Sequence, residues 1–236
     1  MAQIFSRGAN ALSKMSIVAG GLLVAFVILG IMQVDRSPYQ TSQGVVIEQP
    51  VPFSHDHHTA VLGIHCIYCH SSVEESASAG LPPTQTCMNC HSQIWVDSPM
   101  LEPVRESFRT KESIQWARIH DLPDFTYFNH SIHIKKGVGC ETCHGPINEM
   151  PLIRQYAPLQ MQWCLDCHRN PEKFVRPREA VFDFEYEPPR NRADGEALVA
   201  KYDLGIDPPA NQRELGLALV EKYEINSKDT CSTCHR

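Results

Sequence analysis

Every cysteine in this chain lies in one repeated motif, Cys-x-x-Cys-His. The sequence has 236 residues and ten cysteines, which form five pairs, each followed directly by a histidine. We number the motifs sites 1 to 5 along the chain: Cys66–His70, Cys87–His91, Cys140–His144, Cys164–His168 and Cys231–His235. Because no cysteine remains for a disulfide or a catalytic thiol, this motif constrains the fold more than any other feature.

The motif is the attachment signature of c-type haem. Two thiols three residues apart lie on one turn of the chain and reach the two vinyl groups on one porphyrin edge, while the adjoining histidine ligates the iron. We therefore expect five covalently bound haems. The predicted thioether residues are Cys66, Cys69, Cys87, Cys90, Cys140, Cys143, Cys164, Cys167, Cys231 and Cys234. The predicted proximal iron ligands are His70, His91, His144, His168 and His235.

Zinc sites and redox-active dithiols are the competing interpretations of paired cysteines. A zinc ion needs two pairs at one metal, so an odd number of pairs suits it badly. Neither alternative explains why a histidine follows every pair. The five histidines would arise by chance about once in three million, given 12 histidines in 236 residues. The sequence therefore favours haem.

An uncharged apolar stretch, residues 16–32, precedes all five sites. As a helix it reaches about 26 Å, at the short end of what spans a membrane. A cleaved signal peptide has a similar profile, but no small-x-small cleavage site follows this stretch. Arg7 and Lys14 precede it without any acidic residue. The positive-inside rule therefore predicts a single-pass protein of the cell membrane, with residues 1–15 cytoplasmic and the haem domain on the periplasmic side.

The remaining chain contains an internal repeat. We predict that residues 33–52, rich in proline and small polar residues, form a linker to a haem domain over residues 53–236. Residues 53–91 and 128–168 each begin with Phe-x-His-x-x-His and continue with two of the sites. Residues 169–236 form a C-terminal extension with two packing helices and site 5.

The predicted fold class is a multihaem cytochrome c, with short α-helices and long loops around stacked haems, little sheet and one N-terminal transmembrane helix. Few segments show the alternation typical of strands. Five macrocycles would replace much of the side-chain core, so the chain without haem is expected to be largely unfolded. The net charge of −6, with no basic run, argues against nucleic acid as a partner.

An electron carrier keeps both axial positions of each iron filled, and seven histidines remain to fill them. The predicted distal ligands are His55, His58, His120, His130 and His133. We expect the other two, His57 and His65, to be solvated. Residues 169–230 contain no histidine, so site 5 must take its distal ligand from further back. A methionine is the alternative there, and the candidates are Met100, Met150 and Met161.

The Phe-x-His-x-x-His pattern upstream of a haem motif resembles the class III multihaem cytochromes. The resemblance implies that the first histidine of each pair ligates the haem of the next motif, so that His55 pairs with His70 and His130 with His144. The second histidine would reach a different haem. The distal ligands of sites 2, 4 and 5 stay open.

A resemblance over nearly the whole chain is to the pentahaem subunit of alternative complex III, a bacterial quinol-oxidising complex. Residues 116–125, residues 128–133, residues 161–169 and the terminal motif through Arg236 carry it; Gln162 stands where that family more often has glycine. The resemblance implies an iron–sulfur subunit and polytopic quinol-binding membrane subunits as partners. It also implies a monohaem cytochrome or other redox acceptor, besides membrane lipid.

We therefore expect an electron-transfer subunit of a membrane quinol:acceptor oxidoreductase rather than a catalyst in its own right. The alternative is a self-contained, membrane-anchored multihaem quinol dehydrogenase. The long linker between residue 32 and site 1 counts against it. A reductase with an open haem position is a third hypothesis, which the surplus of histidines disfavours.

Overall fold

A computed structural model describes residues 5–6 and 8–235. The chain divides into two compact units, residues 1–43 and residues 44–236, and we describe each by itself. Two residues used above lie outside the described ones: Arg7, whose charge contributes to the predicted orientation, and Arg236, the last residue of the terminal motif.

The first unit consists of a long apolar helix, α1 (Ala9–Asp35), and a short helix, α2 (Pro38–Thr41). Helix α1 has 27 residues, and its most apolar window has a mean hydropathy of 2.5. Within the unit the apolar side chains of that window are exposed. By length and composition, α1 is the one helix of the described chain that could cross a membrane. It extends beyond the apolar stretch, residues 16–32, at both ends.

Each haem motif of the second unit lies on a short helix. These are α3 (Cys66–Cys69), α4 (Thr84–His91), α7 (Cys140–His144), α8 (Met161–Arg169) and α11 (Cys231–Cys234). A helical turn brings residues three apart to the same face, so both thiols of each pair point the same way. The helices therefore have the local geometry that attachment to one porphyrin edge requires.

The other helices of this unit are also short. They are a π-helix (Asp56–Val61), α5 (Glu102–Thr110), α6 (His130–Lys135), α9 (Arg192–Tyr202) and α10 (Gln212–Lys222). Four 3₁₀ turns cover Pro99–Leu101, Ile147–Glu149, Pro171–Lys173 and Arg178–Ala180. Among the described residues there is no strand, only two isolated antiparallel bridges, Val46–Arg154 and Val138–Val175. The prediction of short helices, loops and little sheet is confirmed.

The largest apolar cluster lies in the haem-free part of the C-terminal extension, where α9 and α10 pack together. Its buried members are Val175, Leu198, Leu204, Leu215, Leu219 and Tyr223. Both helices begin at an asparagine whose side chain accepts a 3.0 Å hydrogen bond from the backbone N–H three residues on. A Cβ at Gly216 would lie 1.8 Å from the Glu172 carbonyl oxygen, so glycine lets α10 pack directly on the 3₁₀ turn Pro171–Lys173.

Around the first four Cys-x-x-Cys-His motifs, the apolar clusters among the described residues are small. One consists of Val51, Leu101 and Val104, with Trp116 packed against it. Another joins Val73, Ile134 and Val181. Side chains alone therefore give this region little core of its own.

Candidate haem sites

The first Phe-x-His-x-x-His segment positions two imidazoles around one aromatic ring. His55 is the residue directly before the π-helix, and His58 lies within the first turn of that helix. The Phe53 ring stacks on His58 at 4.3 Å and lies edge-on to His55 at 4.9 Å. The phenyl ring thereby fixes the orientation of both histidines.

The second segment repeats this arrangement. His130 begins α6, and the Asn129 side chain caps that helix by accepting a hydrogen bond from the Ile132 N–H at 3.4 Å. The Phe128 ring stacks on His133 at 4.4 Å and lies edge-on to His130 at 4.8 Å. The sequence repeat is therefore a repeat of side-chain geometry as well.

Four of the five predicted distal histidines lie opposite a proximal histidine at nearly constant ring spacing. The centroid distances are 6.4 Å for His55–His70, 6.2 Å for His58–His91, 6.3 Å for His130–His144 and 6.1 Å for His133–His168. An imidazole nitrogen lies about 2.0–2.1 Å from a metal that it binds. Two imidazoles on opposite sides of one iron thus have ring centres about 6 Å apart, and the four pairs fit that arrangement.

The two repeat copies also agree in the relative tilt of their rings. The planes are nearly parallel for His55–His70 and His130–His144, at 4° and 10°. The planes are strongly tilted for the second pair of each copy, at 62° for His58–His91 in site 2 and 52° for His133–His168 in site 4. Each copy therefore contains one parallel and one tilted pair.

Backbone carbonyls hold most of these rings by the nitrogen that faces away from the pairing side. Nδ1 lies 2.7–3.1 Å from a carbonyl oxygen in His58, His70, His91, His130, His133, His168 and His235. A carbonyl only accepts, so Nδ1 carries the proton and Nε2 has a free lone pair. That tautomer and orientation suit an Nε2 ligand to iron.

His144 and His55 differ from that pattern. The Nδ1 of His144 lies 3.3 Å from the Nε2 of His120, and the two rings are 4.3 Å apart in an edge contact. The Nδ1 of His55 is buried without a hydrogen-bond partner within the described structure. His120, a predicted distal ligand, therefore lies against a proximal ring and not at the 6 Å spacing of the four pairs.

Site 5 lies beside the segment that precedes the second repeat copy. His235 Nδ1–H donates to the Phe125 carbonyl at 3.1 Å, and the Tyr127 N–H donates to the Cys234 carbonyl at 2.8 Å. In the part of the chain that is described, no second histidine ring contacts His235. Among the candidate methionines, Met150 is buried beside the first pair, where its carbonyl accepts the N–H of His55. Met100 and Met161 are exposed.

Burial shifts the pKa values of His55 and of the side chains of site 3. It lowers the pKa of His144 to about 3, with neighbouring histidines adding to the shift, and lowers the pKa of His55 to about 4. Both rings are then neutral, the form that binds a metal. Burial also raises the pKa of the Cys140 and Cys143 thiols to about 12. The side chains of site 3 are therefore largely withdrawn from water, which suits a porphyrin edge.

The two histidines expected to be solvated are exposed but make contacts. His57 stacks on Trp95 at 5.9 Å, and His65 lies edge-on to Phe182 at 5.2 Å. Among the residues described, no three histidine, cysteine or acidic side chains converge as a zinc site would need. The backbone carbonyls that bind the Nδ1 atoms could not be identified from the sequence. The phenylalanine two residues before each histidine pair could be, and its ring contacts both histidines of the pair.

Comparison with known proteins agrees with this geometry. Residues 126–236, which include sites 3 to 5, match the family described as cytochrome c7 and related cytochrome c. A stretch of 98 residues is 36% identical to the menaquinone reductase multiheme cytochrome c subunit of Nitratidesulfovibrio vulgaris (strain Hildenborough). That match covers 41% of this chain and 46% of the relative, just under half its length. The second unit is helical, and residues 126–236, with sites 3 to 5, are thus similar to multihaem c-type cytochromes, a resemblance that implies covalently bound haem.

Proposed function

We propose that this multihaem cytochrome is the electron-transfer subunit of a membrane quinol:acceptor oxidoreductase of the alternative complex III kind, with five covalent haems. The four imidazole pairs, 6.1–6.4 Å apart, carry this proposal. Haem supplies a reversible one-electron change at iron, and an iron with both axial positions filled by protein favours electron transfer over substrate binding.

The proposed axial pairs are His70 with His55 at site 1, His91 with His58 at site 2, His144 with His130 at site 3, and His168 with His133 at site 4. At site 5 the proximal ligand is His235. The outer nitrogen of every proposed axial ring except His55 makes a hydrogen bond, and the two phenylalanine rings hold the four distal imidazoles. A ligand set held in this way changes little when the iron gains or loses an electron, which favours fast transfer.

Contacts between sites support one spatial order, 2–1–3–4–5. Sites 1 and 2 share a distal segment, because His55 and His58 lie on one turn; the Asn89 side chain also donates to the Tyr68 hydroxyl at 3.0 Å. Sites 3 and 4 share a distal segment in the same way, through His130 and His133.

The two repeat copies meet between sites 1 and 3. His130 Nδ1–H donates to the Ala77 carbonyl at 2.8 Å, and the Ser131 N–H donates to the Ser76 carbonyl at 3.2 Å. Residues 76 and 77 lie in the loop that follows site 1, six and seven residues after His70. A distal ligand of site 3 thus rests on the loop after site 1, which supports direct transfer between these two haems.

Sites 4 and 5 are joined by the segment before the terminal motif. His168 Nδ1–H donates to the Lys228 carbonyl at 2.8 Å, and the Ser227 hydroxyl donates to the His168 carbonyl at 3.1 Å. Sites 2 and 5 are then the two ends of the series. We propose that electrons enter at one of these ends and leave at the other.

The proposed setting is the cell membrane, with α1 as the anchor and the haem domain on the periplasmic side. The proposed partners are an iron–sulfur subunit, polytopic quinol-binding subunits and a monohaem cytochrome or other acceptor. The relative from Nitratidesulfovibrio vulgaris is named for menaquinone reduction. A row of haems conducts either way, so the haem potentials relative to the quinone set the direction, which we propose is quinol oxidation here.

Purification in mild detergent tests this function. We expect peptide mass spectrometry to recover an iron–sulfur protein and polytopic subunits with the chain, and a pyridine haemochrome titration to give five haems per chain. The variant C231A/C234A is the matched control and should give four. A chain that purifies alone, or that holds zinc in place of haem, would contradict the proposal.

A further inference from the structure

We propose that His120 is a positioning residue of site 3: it accepts a hydrogen bond from the proximal ligand His144 and lowers the reduction potential of that haem. The proposal rests on the proposed function, because it takes Cys140–His144 as a haem site. It gives His120 a role other than that of an iron ligand.

The contact is distinct from the other ring contacts in the described structure. Seven axial rings direct Nδ1 at a backbone carbonyl, whereas His144 directs Nδ1 at a side chain, the Nε2 of His120, at 3.3 Å. In the first repeat copy the equivalent ring, His70, uses the Gly80 carbonyl at 2.8 Å. Site 3 is therefore the one whose outer hydrogen bond a single substitution can remove without changing the backbone.

The direction of the hydrogen bond follows from iron binding. A neutral imidazole carries one proton, so if Nε2 of His144 binds iron, its Nδ1 must be the donor. His120 Nε2 is then the acceptor, with a lone pair turned to His144. A nitrogen so engaged has no lone pair left for a second iron, and the 4.3 Å ring separation leaves no room for a metal between the two rings.

The segment that carries His120 is fixed at its start. The Gln49 side chain pairs with both backbone groups of Ala117, accepting from its N–H at 3.0 Å and donating to its carbonyl at 2.9 Å. Trp116 packs against the cluster of Val51, Leu101 and Val104. These contacts hold residues 116–117 in place, so the imidazole three residues later is presented to site 3 by a braced segment.

An acceptor on the outer nitrogen makes the proximal imidazole a more basic ligand, which stabilises the ferric state relative to the ferrous state. Removing the acceptor should therefore raise the potential of the site 3 haem. One hydrogen bond corresponds to about a threefold to tenfold change in the reduction equilibrium constant, or an upward shift of about 30 to 60 mV.

The test is a potentiometric titration of the full-length holoprotein, followed by optical and EPR spectra. His120→Leu removes the acceptor, and His120→Asn keeps polarity but is too short to reach His144. His120→Gln can place its carbonyl oxygen near the position of Nε2. His57→Leu is the matched control, because His57 is an exposed histidine whose ring contacts His58 and Trp95 but not His144.

We expect His120→Leu and His120→Asn to raise one potential by the stated amount, within the class of haems that have parallel rings. His120→Gln should restore the wild-type value, and His57→Leu should leave the site 3 potential unchanged. A high-spin haem in His120→Leu would overturn the proposal, because it would make His120 an iron ligand. No shift, or no rescue by glutamine, would overturn it as well. A wild-type chain without haem at Cys140 and Cys143 would instead refute the proposed function.

Discussion

The repeats, which contain sites 1 to 4, and the part of the C-terminal extension that precedes site 5 are built on different principles. Between residues 53 and 168 the described α-helices have four to nine residues, and each of the two buried apolar clusters contributes only two residues from this range, with Val51 or Val181 as the third. Between residues 169 and 230 two eleven-residue helices bury a cluster of six. The extension thus has an ordinary side-chain core, whereas the repeats have ring pairs and thiols where a core would lie.

This difference leads us to predict that haem is a structural element of the repeats. Burying apolar surface contributes most of the free energy that opposes chain entropy. The repeats lack enough apolar side chains for this, and the faces of bound porphyrins would supply the missing surface. The extension should depend on haem only through its contacts with the repeats.

The largest expected effect comes from removing a haem at the centre of the series. The double variant C140A/C143A should lose the cooperative thermal transition of the repeats, because site 3 joins the two copies and its side chains are largely withdrawn from water. C231A/C234A, at the end of the series, should retain that transition. Circular dichroism at 222 nm during heating distinguishes the two, and equal behaviour of both variants would contradict a structural role that depends on position.

A substitution in the extension should act on stability without affecting haem. Leu219 is fully buried in α10, and truncation to alanine should lower the free energy of unfolding by about 2–5 kcal/mol. Leu217, 53% exposed on the same helix, is the matched control and should change it by less than about 0.5 kcal/mol. We expect the visible spectrum of folded Leu219→Ala to equal that of the wild type. Loss of the haem signals and the helix signal in one transition on heating would show that the extension has no separate core.

The sequence predicted the ligand residues of the repeats but only the helices of the extension. Five motifs and two Phe-x-His-x-x-His segments were sufficient to predict a helical multihaem cytochrome and to name the four histidines that now lie in pairs. This succeeded because covalent haem attachment fixes residue types at fixed spacing. The helices α9 and α10 were visible for a different reason, the recurrence of Leu, Val and Tyr on one side.

Long-range placement could not be predicted. Nothing in the pattern around His120 distinguishes a ligand that reaches an iron from a side chain that bonds a proximal ring, because both need an imidazole near the repeat. The carbonyl partners of the rings are backbone atoms that any residue could supply. Pairing of His58 with His91 and His133 with His168 depends on how loops of twenty or more residues fold back, which local preferences do not determine.

A buried ion pair connects the two regions and offers a sharper test of their dependence. Arg176, in the extension, donates to Glu141 of the site 3 motif at 2.5 Å, and its side chain is 8% exposed. Arg176→Gln should lower the free energy of unfolding by about 1–3 kcal/mol, because Glu141 loses its charge partner in a partly buried position.

The matched control for this pair is exposed. Arg190→Gln breaks the Arg190–Glu187 pair, in which both side chains are at least 70% exposed, and should cost at most about 1 kcal/mol. Chemical denaturation followed by circular dichroism at 222 nm, to which α9 and α10 contribute, and by the haem band would measure both. If Arg176→Gln altered only the circular dichroism transition and left the haem band transition unchanged, the two regions would be energetically independent.

The smallest expected effect concerns the phenylalanine clamps, which compare the two repeat copies directly. Phe53 stacks on His58 and Phe128 on His133, in each case the histidine of the tilted pair. Low-spin haems with parallel imidazole planes and those with strongly tilted planes give different EPR g values, so the wild type should show two haems in each class besides site 5. Phe128→Leu should change only the tilted signal of site 4, and Phe53→Leu only that of site 2. Each loses an aromatic contact of about 0.5–1.5 kcal/mol. A change in the parallel class in either variant would mean that the edge-on contacts with His55 and His130 orient the rings instead, and the stacked contacts would then be packing alone.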